Sequence, residues 1–367
     1  MSDPGVDGPA TDRSELLAAT LATAGPEDTA LDALLVTDLT NVEYLTGFSG
    51  TNGACLISGD ARTFLTDFRY AERAAAIEGW EVEIVKGPWL EGLAARLDGK
   101  VGFEDDHVTV RTARQLADAT DTAELVPAGG RVEQLRRVKD AGEIERIAAA
   151  AAMTDALYGL VAEHGLAGHT EAEIDRWLTG WMRDQGAEPS FPPIIAAGPN
   201  GASPHAEPGS RRIERGELVT IDMGVKLDGY CSDCTRTFAT GAEGDLDELS
   251  REIHAVALRA NETGLKAIRA GENGADVDAA ARSVIAEAGF GDQFGHGLGH
   301  GVGLEVHEAP RLGPSSEDEL LAGEVVTVEP GIYVSGKTGV RIEDLVVVGS
   351  DGVERNLSSF PKELIFV

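Results

Sequence analysis

Two apolar hairpins, each carrying a pair of acids at matched positions, constrain this chain more than any other feature. The run LVTIDMGV is β-rich, KLDG is turn material and YCSDCTRTF is a second run, so this segment reads as a hairpin. With KLDG as a four-residue loop, Asp222 and Asp233 are equidistant from its centre and face each other across the ladder. A second strand pair repeats the pattern: EVVTVEPGIYV and VRIEDLVVV flank SGKTG, and Glu329 and Glu343 are symmetric about Gly336. Directly opposed side chains stand about 4.5–5.5 Å apart at Cβ, where like charges repel. One acid on an apolar strand reads as a solvent-facing residue. Four acids in two matched pairs do not, because burying unpaired carboxylates is prohibitive. Something positive is expected between them.

A further ligand comes from FGHGLGHGVGLEVHEAP, which holds His296, His300 and His307, three of the chain's eight histidines. Its glycines permit tight turns and close backbone approach, so the imidazoles can converge on a small site. One His with four carboxylates suits two divalent ions roughly 3.5–4 Å apart, with an acid or two bridging. Such an oxygen-rich set favours Mn²⁺ or Co²⁺, with Zn²⁺ and Fe²⁺ next, and the His speaks against a structural Ca²⁺ site.

A chain of 367 residues with 42% hydrophobic content can bury a large core, and two domains are expected. Residues 1–12, rich in Gly, Pro and Asp, read as a disordered tail. Ser14 is expected to N-cap a helix over ELLAATLAT. Strands ALLV, ACLIS and RTFLT alternate with a helix over FRYAERAAAIEG, implying an α/β module across residues 13–130 whose only His is His107. Over 135–367 long helical patterns stand beside blocks of paired strands, which argues for an α+β domain. Cys55, Cys231 and Cys234 are an odd number of thiols in an acidic chain expected in the cytoplasm, which argues against a disulfide framework, and the lone CSDC lacks a partner pair or nearby His ligands for structural zinc. Both of its thiols read as small buried strand residues.

The charge balance excludes some partners. Sixty-three acidic against 31 basic residues give −32, and only 7 of the basic residues are Lys. A surface this acidic repels phosphate backbones and anionic membranes, so neither nucleic acid nor a membrane is expected as a partner. No stretch approaches a membrane span and the first residues lack a secretory pattern, so the expected location is cytoplasmic. Scarce Lys with excess Asp and Glu looks like the proteins of extreme halophiles.

IDMG with Asp222, SDCTRTF with Asp233, GHGLGHGVGLEVHE with His300, TVEPGIY with Glu329 and RIEDLVVV with Glu343 resemble the five ligands of the pita-bread metallopeptidases. Within that family the chain resembles the Xaa-Pro peptidases, prolidase and aminopeptidase P, and DALLVTDLTNVEYLTGFSG resembles their creatinase-type N-terminal domain. The resemblance implies a pita-bread catalytic domain behind a smaller α/β domain. It places His205 and His307 where they steady the reaction intermediate, His296 and Tyr333 beside the substrate, and Arg341 hydrogen-bonding within the site. Arg311 resembles an Arg that prolidases set near a dipeptide's carboxylate. The implied substrate is a peptide with proline second, cut by a hydroxide bridging two ions, with Glu329 as base or proton shuttle. Family members commonly form homodimers through the N-terminal domain. The alternatives are a methionine aminopeptidase-like enzyme, a creatinase-type C–N hydrolase and a non-catalytic binding protein on the same scaffold.

Overall fold

Short apolar runs near the start of the chain close into one mixed six-stranded sheet. In the computed structural model, which describes residues 12–21 and 30–367, one unit ends at Arg136 and a second runs from Arg137 to Val367. The first unit orders its strands Glu81–Ile84, Arg62–Thr66, Ala54–Ser58, Ala33–Val36, Gly99–Phe103 and Ala123–Pro127. The middle pairings are antiparallel and the outer ones parallel. Ala33–Val36 is buried along its whole length, as a strand inside a sheet with both faces covered must be.

Two local expectations in this unit are corrected. The first helix is Arg13–Leu21, so Ser14 lies inside it, and the cap is Asp12, whose Oδ1 accepts from the Ser14 and Glu15 backbone N–H groups at 3.0 and 3.3 Å. A carboxylate beside a hydroxyl wins the cap because it satisfies two orphan donors and complements the helix dipole. The helix expected over FRYAERAAAIEG contracts to a 3₁₀ turn, Phe68–Tyr70, and the single turn Ala71–Ala74. The expected tail falls outside the described residues except for Asp12.

In the second unit two helix pairs each back an antiparallel sheet. Helices Ala141–His164 and Glu171–Asp184 lay Leu157, Val161, Ile174 and Leu178 against Ile195, Val219, Ile221 and Phe238. That sheet runs Cys234–Ala239, Leu218–Met223, Ile194–Ala197. Both helices open with a capping box, Asp140 with Glu143 and Thr170 with Glu173, which satisfies two backbone donors reciprocally. Helices Glu248–Ala267 and Gly274–Glu287 set Ile253, Val256, Ala260 and Ile285 on Val326, Val328, Val340 and Val346. The sheet beneath them runs Glu308–Leu312, Gly299–Gly301, Val325–Val328, Asp344–Val348, Val353–Asn356, and the ribbon Gly331–Val334 with Thr338–Arg341 continues from it. Helices beside mainly antiparallel strands make this the expected α+β arrangement.

The two sheets meet edge to edge. The Glu343 N–H donates to the Thr235 carbonyl at 3.1 Å, and Thr237 Oγ1 donates to the Arg341 carbonyl at 2.9 Å. Each hairpin thereby brings its acids to the same seam.

Candidate metal centre

The first hairpin turns more tightly than expected. Its tip is Asp228–Gly229, with φ of 47° and 85°, a two-residue turn whose left-handed geometry matches strand twist. The register runs Leu227↔Tyr230, Lys226↔Cys231, Met223↔Cys234, Asp222↔Thr235. Asp222 therefore faces Thr235, not Asp233 as the four-residue loop implied. Asp233 sits two residues back, in a break between strands Tyr230–Cys231 and Cys234–Ala239. A shift of two preserves the face. One oxygen from each of Asp222, Asp233 and Glu343 consequently falls within 4.8 Å of the others, all three residues buried.

The second hairpin keeps its expected register. Val328↔Asp344 ends one ladder and Gly331↔Arg341 begins the next with the same count, so Glu329 and Glu343 stand opposite one another between them. Glu343 is 1% exposed, and its Oε2 accepts from Thr235 Oγ1 at 2.7 Å.

His300 arrives on Gly299–Gly301, where space explains the glycines. A Cβ at Gly299 would lie 2.0 Å from the Thr327 carbonyl oxygen, and one at Gly301 2.1 Å from that of Ala309. His300 Nδ1 lies 3.1 Å from the Gly301 carbonyl, which can only accept, so the proton belongs on Nδ1 and Nε2 is left as a ligand atom. Nε2 stands 3.6 Å from Asp233 Oδ2 and 3.3 Å from Glu329 Oε1. Acceptors facing acceptors need a positive species between them.

Electrostatics sharpen that demand. Burial, then the charges of Glu343, Asp222 and Glu329, push the Asp233 carboxyl well above its usual range. Burial, then Glu329 and Asp222, do the same to Glu343. Burial opposes ionisation of Glu329, but with a second proton as the positive species on His300 Nε2 the hydrogen bond and charge of that imidazolium outweigh burial and bring the group down to about 2. Among the described residues, only Arg341 offers a fixed counter-charge in contact: its Nη2 lies 2.5 Å from Asp222 Oδ2. The other oxygen, Asp222 Oδ1, is buried without a hydrogen-bond partner among the described residues. One guanidinium against four carboxylates, an orphaned buried oxygen and a ligand-ready imidazole fit divalent cations.

These groups open into a cavity of about 650 Å³. His205, His296, His307 and Arg311 line it together with all five ligand candidates and Arg341. The His307 ring meets that of His300 edge-on at 4.4 Å, and burial followed by the charge of His300 lowers its pKa, leaving it neutral near pH 7. Tyr333 is not part of the wall. Its hydroxyl joins Arg341 Nη1 at 2.7 Å to His296 Nε2 at 2.9 Å, from behind.

Residues 137–350 match metallopeptidase family M24. The chain belongs to that family. Residues 16–138 match the creatinase/prolidase N-terminal domain, so the pita-bread and creatinase-type folds implied by the motifs are the folds present. Among solved structures, an Xaa-Pro dipeptidase from Bacillus anthracis is 38% identical with a TM-score of 0.91, covering 97% of this chain and 99% of that one. An X-Pro aminopeptidase from Thermotoga maritima is 34% identical, TM-score 0.87, covering 97% and 100%. The peptidase YqhT of Bacillus subtilis is 40% identical over 343 residues, 92% of this chain and 96% of its own.

The M24 site also holds residues that the sequence reading passed over. Thr235 bonds Glu343 and accepts from Arg341 Nε at 3.0 Å, so one hydroxyl orients a ligand and its neighbouring cation. Phe191, Pro192, Pro193, Pro204 and Pro314 form an apolar wall. The FPP and GPS clusters were visible in the sequence, but nothing local tied them to the acids.

Proposed function

We propose that this metallopeptidase is a dinuclear Xaa-Pro dipeptidase that releases the residue preceding a C-terminal proline. The observation that carries the reading is Arg311, which stands in the wall of the same cavity as the five ligand candidates. A guanidinium there can hold a dipeptide's carboxylate as a bidentate pair, while Phe191 and the surrounding prolines suit an apolar pyrrolidine ring.

Asp222, Asp233, His300, Glu329 and Glu343 would hold two ions, Mn²⁺ or Co²⁺, which supply an activated water and polarise the scissile carbonyl. Glu329, kept ionised beside His300, accepts the water's proton and passes it to the leaving nitrogen of proline. His307, neutral near pH 7, and His205 donate N–H groups where negative charge develops on the carbonyl oxygen. Arg341 fixes Asp222 and, through Tyr333, orients His296 at the cavity wall. The proposal includes a cytoplasmic homodimer; no helix among the described residues is long and apolar enough to cross a membrane.

The test is hydrolysis of an Xaa-Pro dipeptide and an Xaa-Pro-Xaa tripeptide in high salt, with Mn²⁺ and after chelation. The dipeptide should be cut far faster, and chelation should abolish turnover. Cleavage of the tripeptide alone refutes the dipeptidase reading, and activity indifferent to chelation refutes the metal mechanism. Arg311→Met should raise the dipeptide KM about tenfold or more, from loss of a charge-assisted pair.

A further inference from the structure

The ladders flanking the facing glutamates stop short of them. Val328↔Asp344 is the last pair on one side and Gly331↔Arg341 the first on the other. Pro330, between them, has no N–H with which to continue the ladder. One long backbone bond crosses the gap, from the Ile342 N–H to the Pro330 carbonyl at 3.4 Å, and no ladder bond joins Glu329 to Glu343 themselves.

Asn261, fully buried on helix Glu248–Ala267, bridges this gap. Its Nδ2 donates to the Val328 carbonyl at 2.8 Å and to the Ile342 carbonyl at 3.4 Å. Each carbonyl belongs to the residue immediately before one of the two glutamates. Asn261 Oδ1 accepts from Lys362 Nζ at 2.9 Å, and the same ammonium lies 2.7 Å from Asp344 Oδ2. Asp344 is fully buried and follows Glu343; its Oδ1 takes Arg236 Nη2 at 2.9 Å. The amide can stand only one way round, because the carbonyls can only accept and the ammonium can only donate.

We propose that Asn261 is a positioning residue that sets the spacing of Glu329 and Glu343 through their main chain, with Lys362 holding its amide in the donating orientation. The proposal rests on the two-ion reading of the site. A side-chain amide spanning both strands acts as a clasp of fixed length, and two divalent ions held by Glu329 and Glu343 would tolerate little drift in those carboxylates. Groups that orient metal ligands typically change affinity by about 10–100-fold when removed.

The experiment is calorimetric titration of Mn²⁺ into the chelator-stripped full-length chain in high salt, beside thermal unfolding of the metal-free protein and steady-state kinetics on an Xaa-Pro dipeptide. Asn261→Asp keeps the shape and loses both donors. The weaker of two Mn²⁺ steps should weaken about tenfold or more, and kcat should fall while KM stays within about twofold. Lys362→Met should weaken the same step by a smaller factor, and Lys362→Arg should restore it. A merely structural role would lower the unfolding midpoint and leave the affinity of the folded protein unchanged. If Asn261→Asp does not fold, the Lys362 pair decides: equal affinity in Lys362→Met and wild type overturns the proposal. Fewer than two Mn²⁺ sites in the wild type would overturn the two-ion reading and this proposal together, whereas two wild-type sites with unaltered variants would overturn the positioning role alone.

Discussion

Asp222 spends one oxygen on Arg341 and keeps the other buried without a hydrogen-bond partner among the described residues. Replacing it by Asn removes the charge that answers Arg341 and presents an N–H₂ donor where an acceptor is needed. Asp222→Asn should therefore lose bound metal and turnover together, read by elemental analysis after gel filtration and by kcat; a variant that keeps two ions would remove Asp222 from the ligand set. The ligand candidates were legible from sequence because four acids stand in two matched pairs on apolar strands, where a lone acid reads as solvent-facing, and His300 lies in a Gly-rich cluster of histidines. Thr235 and Asn261 were not. A hydroxyl or amide on a strand or helix is ordinary until three-dimensional neighbours show what it bonds. The Asp222–Asp233 pairing was misread for a related reason: Asp228 and Gly229 alone make the turn, and Lys226 and Leu227 belong to the strand.

At the level of elements, helix Glu248–Ala267 shows how a helix serves a site it does not line. Its apolar face packs on the second sheet and carries Asn261 into the seam. The same helix buries His254 at 4% exposure, with Nε2 unpartnered among the described residues, and burial pushes its pKa down to about 4. Above the unfolded value of about 6.5 both states are neutral, so the group has no pH effect. Below it the unfolded chain takes a proton that the folded chain refuses until about pH 4, so stability falls as pH drops through this window. At pH 5 the loss is about 2 kcal/mol. His254→Leu should flatten that slope: urea midpoints of variant and wild type should diverge between pH 7 and 5, and parallel curves would discount His254. The long helices and both hairpins were visible as periodic patterns. The helix over Phe68–Gly79 was not correctly read, since an alanine-rich run has helical propensity whether or not tertiary packing continues it.

Across the whole molecule, a net charge of −32 stores self-repulsion that salt relieves, because the screening length shrinks from about 10 Å at 0.1 M to about 3 Å at 1 M. The thermal midpoint should rise between 0.1 M and 2 M KCl, followed by circular dichroism, and a flat or falling midpoint would sink the halophile reading. Division into two units was legible because His and acid motifs begin only after the first. The seam between sheets was not, since contacts such as Glu343 with Thr235 join residues far apart in sequence. The shared register on both sides of the Glu329–Glu343 gap carries one last consequence. In Asp344–Val348 and the residue before it, neighbouring acids serve opposite faces, Glu343 toward the cavity and Asp344 toward Arg236 and Lys362. Losing or gaining one residue in the intervening ribbon would exchange those faces, so the ribbon is held to its residue number, and at its tip also to its identity, since Gly336 has a φ of 71° that favours glycine.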